Sequence, residues 1–179
     1  TGHPYATSAH MLWVGDRTRQ PDGAHIEFLR GIHNPVGIKC GPTLSPDELI
    51  TLVDKLNPDD TPGRLTLITR LGAQRVQDLL PPMIECIKRE GRSVGWACDP
   101  MHGNTTVTPE GYKTRSFDDI TNEVRGFFEV HRAHGTHPGG VHVEMTGLDV
   151  TECTGGGEGL TDANLSRHYA TACDPRLNA

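Results

Sequence analysis

Apolar positions along the chain gather into five short runs: "HMLWVG" (10–15), "VGIKCG" (36–41), "RLTLIT" (64–69), "SVGWAC" (93–98) and "GVHVEM" (140–145). Continuous apolar runs of this length are what parallel strands buried on both faces require. The stretches between them carry the other period. "SPDELITLVDKLNP" predicts a helix with Ser45 as N-cap, Pro46 at the first helical position and Glu48 closing a capping box. Leu49, Leu52, Val53 and Leu56 form its apolar face, and Asn57-Pro58 ends it. "AQRVQDLLPPMIECIKREG" is helical in pattern, broken or restarted at Pro81-Pro82. "SFDDITNEVRGFFEVHRAHG" predicts a helix from Ser116 to Gly135 with Ile120, Val124, Phe127 and Phe128 turned inward. The segment around "AHIEFLRG" is less clearly helical.

Strand and helix alternate, so the predicted class is α/β with a parallel sheet. No G-x-G-x-x-G joins a strand to a helix, which argues against a dinucleotide-binding sheet. The glycine cluster "TGGGEG" (154–159) lacks that spacing and reads as a flexible loop.

Composition narrows the partners. The chain has 179 residues, 35% hydrophobic and 22% charged, enough for one domain with a sizeable core. Its net charge of -6 argues against a nucleic-acid surface, though a phosphate pocket needs only a few local cations. No apolar run is long enough to span a membrane, and no charged-then-apolar leader opens the chain. Five cysteines, widely spaced and odd in number, point to reduced thiols in a cytosol-like compartment. The missing initiator methionine and the polar "CDPRLNA" ending make both ends look cut from something longer.

The charges fall at the ends of the strands. The first run leads into Asp16-Arg17, the second carries Lys39, the third leads into Arg70, the fourth into Asp99 and His102, and the fifth carries Glu144. In a (β/α)₈ barrel the C-terminal strand ends form the active-site rim, so recurring charge there reads as chemistry. Arg17, Lys39 and Arg70 suit an oxyanion, because guanidinium forks bind phosphate and carboxylate bidentately. His102 and Glu144 form a metal-type pair of imidazole and carboxylate. Alternation in "GVHVEMTG" puts His142 and Glu144 on one face and Val141, Val143 and Met145 on the other. A buried His–Glu hydrogen-bond network with no metal is the competing reading.

The motifs "LWVGDRTRQPDGAHIEFLRGIHNPVGIKCGPT", "LITRLGA", "WACDPMHGNT", "GGVHVEMTGLDVTECTGG" and "YATACDPRLN" closely resemble type II 3-deoxy-D-arabino-heptulosonate 7-phosphate (DAHP) synthases. The likeness implies residues 1–179 as a single partial catalytic domain, an incomplete (β/α)₈ TIM barrel with strands four to eight. It implies condensation of phosphoenolpyruvate with erythrose 4-phosphate, with release of phosphate, as the first step of the shikimate pathway. It places the metal on His102, Glu144 and Asp174, and phosphoenolpyruvate on Asp16, Arg17, Lys39 and Arg70, with Lys39 and His102 as catalytic residues. The implied cofactor is a divalent metal, Mn²⁺ foremost, with Co²⁺, Zn²⁺ or Cd²⁺ as alternatives. Asp99 and Pro100 would shape the turn delivering His102, and Cys98 would be structural. Asp16 is a shorter carboxylate than the glutamate more usual there. The family's cysteine ligand, an early arginine and a Lys-Pro-Arg stretch would lie on strands outside this chain. Without them, isolated residues 1–179 should not catalyse DAHP synthesis. The implied full-length protein is a cytoplasmic homo-oligomer (plastidic in a plant) that binds neither nucleic acid nor membrane. Another metal-dependent barrel aldolase or hydrolase, and an inactive barrel piece with a structural or regulatory role, are the alternatives.

Overall fold

The computed structural model describes residues 2–178. Five strands form one parallel sheet: β1 (Leu12–Val14), β2 (Val36–Cys40), β3 (Leu65–Thr69), β4 (Gly95–Cys98) and, after a hairpin, β7 (Gly140–Val141). Their spatial order, β1-β2-β3-β4-β7, follows the chain without reversal, and every pairing is parallel. A doubly wound sheet would reverse its order at a switch point, whereas an arc of a (β/α) barrel runs sequentially. Four helices link and cover these strands: α1 (Ala24–Arg30), α2 (Pro46–Leu56), α3 (Val76–Arg89) and α4 (Phe117–Ala133). Each packs on the next, α1 on α2, α2 on α3 and α3 on α4.

Register explains how one sheet serves two purposes. Val14, Ile38, Leu67 and Trp96 share a row, so their side chains point the same way, into a core with Leu49, Leu52, Leu80, Ile84 and Phe127 from the helices. The neighbouring row, Lys39, Ile68 and Ala97, faces the opposite side, as do Trp13 and Gly37. That second face has few large aliphatics and carries the ammonium of Lys39.

Helix α2 matches its sequence signals. Ser45 Oγ accepts the Glu48 N–H at 3.2 Å, Pro46 opens the helix, and the predicted apolar stripe is buried. The reciprocal half of the capping box is replaced, because the Glu48 carboxylate takes an ion pair from Arg19. Helix α3 runs unbroken through Pro81 and Pro82, contrary to the predicted break. Packing of Val76, Leu80, Met83, Ile84 and Ile87 on the sheet outweighs two lost backbone hydrogen bonds. In α4, Ser116 caps as expected, but the inward stripe is Ile120, Glu123, Phe127, Val130 and His131. Phe128 is exposed and Val124 only half-buried, because their positions sit one step round the helix from that stripe. "AHIEFLRG" does form helix α1, burying Ile26 and Leu29.

The fifth run forms a strand only at Gly140–Val141. His142 N–H extends the ladder to Cys98 C=O at 2.7 Å, and Met145 then bridges to Leu177 instead. A two-stranded antiparallel hairpin, β5 (Thr105–Val107) and β6 (Lys113–Arg115), lies between β4 and α4 and has no apolar run to announce it. The "TGGGEG" segment is a tight turn with Gly155, Gly156 and Gly159 at positive φ, closed by paired hydrogen bonds between Gly155 and Leu160. Among the described residues, no helix is long and apolar enough to cross a membrane.

Candidate active site

The C-terminal ends of the strands open into a cavity of about 500 Å³, lined by Asp16, Arg17, Lys39, Arg70, His102, His142, Glu144 and Asp174 among others. All seven residues singled out from the sequence lie there. They divide into two groups.

The first group centres on His102, which sits in a 3₁₀ turn directly after β4. Asp99 builds that turn. Its Oδ1 accepts the N–H groups of Met101 (3.0 Å) and His102 (3.2 Å), and its Oδ2 lies 2.7 Å from His102 Nδ1. The ring's other nitrogen, Nε2, is thereby aimed into the cavity. It lies 3.3 Å from Glu144 Oε1 and 4.0 Å from Asp174 Oδ2. The second oxygen of each carboxylate is held from behind: Arg115 Nη1 binds Glu144 Oε2, and Lys113 Nζ binds Asp174 Oδ1 at 3.1 Å. One imidazole nitrogen and two carboxylate oxygens, all within 4.8 Å of one another, therefore face a common point. Imidazole and carboxylate suit a divalent first-row ion, and a ligating histidine fixed through its far nitrogen is the usual second layer of such sites. The donor set fits a metal centre.

The second group is cationic. Lys39, 5% exposed, forms an ion pair with the buried Asp99, lies 3.3 Å from His142 Nδ1 and stands over the Trp13 ring. Arg70 Nη1 binds Asp16 Oδ2 at 2.6 Å, and its Nη2 donates to the His102 carbonyl at 3.0 Å. Asp16 also accepts from Arg19 Nε (3.0 Å) and from the Gly41 N–H (2.9 Å). A Cβ at Gly41 would lie 2.1 Å from the Asp16 carboxylate, so any side chain there would push that carboxylate from its place. Asp16 therefore acts as an orienting carboxylate between two arginines. The Arg17 side chain is exposed in the cavity, with no ion pair among the described residues.

Titration behaviour follows burial and these partners. Burial opposes the charge on Asp99, but the His102 hydrogen bond and the Lys39 ammonium outweigh it and hold the carboxyl far below its usual range. Burial and then Lys39 push His142 down. Burial raises the thiols of Cys40, to about 12, and of Cys98, so both are inert packing groups, as expected for Cys98.

Four contributors were not legible beforehand. Arg19 and Arg115 are 6% and 0% exposed, cationic yet interior. Glu123 and Asn104 are buried behind the cavity. Glu123 carried one available signal, a carboxylate on the apolar stripe of α4 between Ile120 and Phe127. Arg19 and Asn104 each have one local partner, Asp16 and the Pro100 carbonyl. Their remaining partners and those of Arg115 lie 10 to 60 residues away, which no local pattern encodes.

The sequence profile described as the Class-II DAHP synthetase family matches residues 1–179. The chain is 58% identical, over 97% of its length, to phospho-2-dehydro-3-deoxyheptonate aldolase AroG of Mycolicibacterium smegmatis. It is 54% identical, over 99% of its length, to phospho-2-dehydro-3-deoxyheptonate aldolase of Streptomyces coelicolor. The matches span 38% and 40% of those two proteins' own lengths. The chain belongs to the class-II DAHP synthetase family.

Proposed function

We propose that residues 1–179 supply the metal centre and the phosphoenolpyruvate cradle of a DAHP synthase, as part of a (β/α)₈ catalytic domain. The sheet would be the arc of strands four to eight. The reaction would condense phosphoenolpyruvate with erythrose 4-phosphate and release phosphate. The observation that carries this reading is the meeting of His102, Glu144 and Asp174 with Lys39, Arg17 and Arg70 in one cavity.

His102 Nε2, Glu144 Oε1 and Asp174 Oδ2 would hold the divalent ion, with Mn²⁺ as the expected species. When bound, that ion supplies Lewis-acid polarisation of an aldehyde oxygen. The chain's own groups do the rest. Arg70 and Arg17 take the phosphate and carboxylate of phosphoenolpyruvate through planar N–H forks, and Lys39 adds a compact positive charge. Asp16 holds the Arg70 guanidinium in orientation before substrate arrives, so less freedom is lost on binding. Lys39 Nζ can pass a proton to the anion it contacts, with Asp99 and His142 as its neighbours. Asp99 fixes the His102 ring and compensates the Lys39 charge at once.

The test is Arg70→Ala in the full-length protein. A raised KM for phosphoenolpyruvate, corresponding to a loss on the order of 2–5 kcal/mol in transition-state binding, is expected. Unchanged kinetics would remove Arg70 from the anion site. The isolated 179 residues should show no phosphate release from the two substrates with Mn²⁺, and robust turnover would show that they suffice.

A further inference from the structure

Arg70 and His102 lie on two separate loops, one after β3 and one after β4. At their closest approach these loops meet backbone against backbone, Gly72 against Gly103. A Cβ on Gly103 would sit 2.5 Å from the Gly72 nitrogen and 3.0 Å from its Cα, and Gly72 itself has φ +88°. No side chain fits at that point, and the register of the two loops is fixed by contacts on either side of it.

That fastening comes from behind the sheet, from helix α4. Glu123, fully buried, accepts the Leu71 N–H on Oε1 at 2.7 Å and the Asn104 Nδ2 on Oε2 at 2.7 Å. Asn104 in turn accepts the Ala73 N–H on Oδ1 at 2.9 Å and donates to the Pro100 carbonyl at 2.8 Å. One carboxylate and one amide thereby bind backbone on both sides of the seam. Leu71 directly follows Arg70, and Asn104 ends the turn that His102 begins. On the cavity side, Arg70 Nη2 closes the ring onto the His102 carbonyl.

We propose that Glu123, working through Asn104, is a positioning residue that sets the distance between the anion-binding Arg70 and the metal-binding His102. It touches neither substrate nor metal. A buried carboxylate in the apolar stripe of α4 carries a desolvation cost that an aliphatic residue there would avoid. Its return is a fixed relation between two loops whose closest approach is glycine against glycine. Substituting such outer partners typically changes metal affinity or activity by about 10–100-fold. The inference rests on the site reading above for the roles of Arg70 and His102.

The experiment uses the full-length protein and the variant Glu123→Gln, which keeps shape and can still accept from Leu71 but presents an amide donor to Asn104. Mn²⁺ affinity is read by paramagnetic resonance of the free ion, without turnover, and KM for phosphoenolpyruvate is read separately. Both should worsen together, each by about 10-fold or more. Leu52→Ala, a core change in α2 remote from the seam, serves as the stability-matched control and should move neither. Adding Asn104→Asp to Glu123→Gln re-creates a donor–acceptor pair with its polarity reversed and should recover part of both losses. If Glu123→Gln does not fold, Asn104→Ser removes the same fastening and is read in the same way. Values within twofold of the parent in Glu123→Gln, while Arg70→Ala and His102→Ala are impaired, would overturn the clamp alone. Unimpaired Arg70→Ala and His102→Ala would overturn the site reading, and this inference with it.

Discussion

The two faces of the sheet solve opposite problems with the same strands. Toward the helices, Val14, Ile38, Leu67 and Trp96 pack into a continuous apolar core, and burial alone holds them. On the other face, Lys39 is almost as buried, yet it carries an ammonium whose one acidic partner is Asp99. Lys39 is nearly as inaccessible as the core row, although Trp13 on its face is half exposed, and it is this charged group whose specific partners would be missed chemically. Affinity for ligands should therefore respond to changes on the Lys39 face and not to changes on the core face, even where stability falls by a similar amount.

The largest expected effect tests the polar side. Asp99→Ala leaves the Lys39 ammonium buried without its counter-charge, releases the His102 ring and removes two backbone acceptor contacts. Breaking a buried pair in this way costs about 3–5 kcal/mol, and Mn²⁺ binding should be lost as well. Urea unfolding at neutral pH together with Mn²⁺ titration measures both. A stable variant with intact Mn²⁺ binding would mean that Asp99 is not the keystone of this face. Leu67→Ala is the matched change on the core side, with an expected cost of about 2–5 kcal/mol from the cavity it leaves. Its Mn²⁺ affinity should equal that of the parent at temperatures where the variant remains folded.

The same contrast explains what the sequence could and could not disclose. The core face obeys local rules, so the apolar runs at β2 and β3 and the stripe of α2 were readable to within a residue or two. The charged strand ends were readable as well, because position after a strand is a local property. The partners were not. Arg115 reaches Glu144 and the Pro175 carbonyl, and Asp16 reaches Arg70, across 29, 60 and 54 residues. The β5–β6 hairpin is too short and too polar to show a period, and β7 was overestimated because its alternating pattern continues after its ladder has ended. Pro81-Pro82 misled for a related reason. A local breaker was outvoted by tertiary packing of the whole helix.

A histidine on the core side sharpens the comparison through pH. His131 is fully buried between Trp96 and Phe127, its Nδ1 2.7 Å from Thr136 Oγ1 and its Nε2 without a hydrogen-bond partner among the described residues. Burial, with His134 and His137 nearby, pushes it down from 6.5 to about 4. The folded state thus holds the neutral ring, while the unfolded chain takes up a proton as pH falls through 6.5. Stability present above pH 6.5 is lost progressively down to about pH 4, by at most about 3 kcal/mol. His131→Phe should flatten this part of the stability–pH profile. Parallel profiles for parent and variant would show that the ring is charged in the fold.

The smallest effect belongs to an ion pair that resembles Lys39–Asp99 only in its chemistry. Lys55 Nζ lies 2.8 Å from Asp22 Oδ1, but the Asp22 side chain is 98% exposed. The Lys55 hydrogen bond and charge lower the Asp22 carboxyl from its usual range, so proximity is felt. Water nonetheless solvates both partners when the contact opens, and salt screens what remains. Lys55 keeps a second partner in the Pro21 carbonyl at 2.8 Å, so its ammonium is not stranded when the carboxylate goes. Asp22→Asn should therefore leave the urea midpoint where it was, at low and at high salt alike. A loss approaching that of Asp99→Ala would mean that charge pairing itself stabilises this chain. An unchanged midpoint beside a large Asp99→Ala effect would locate the cost in the stranded buried charge.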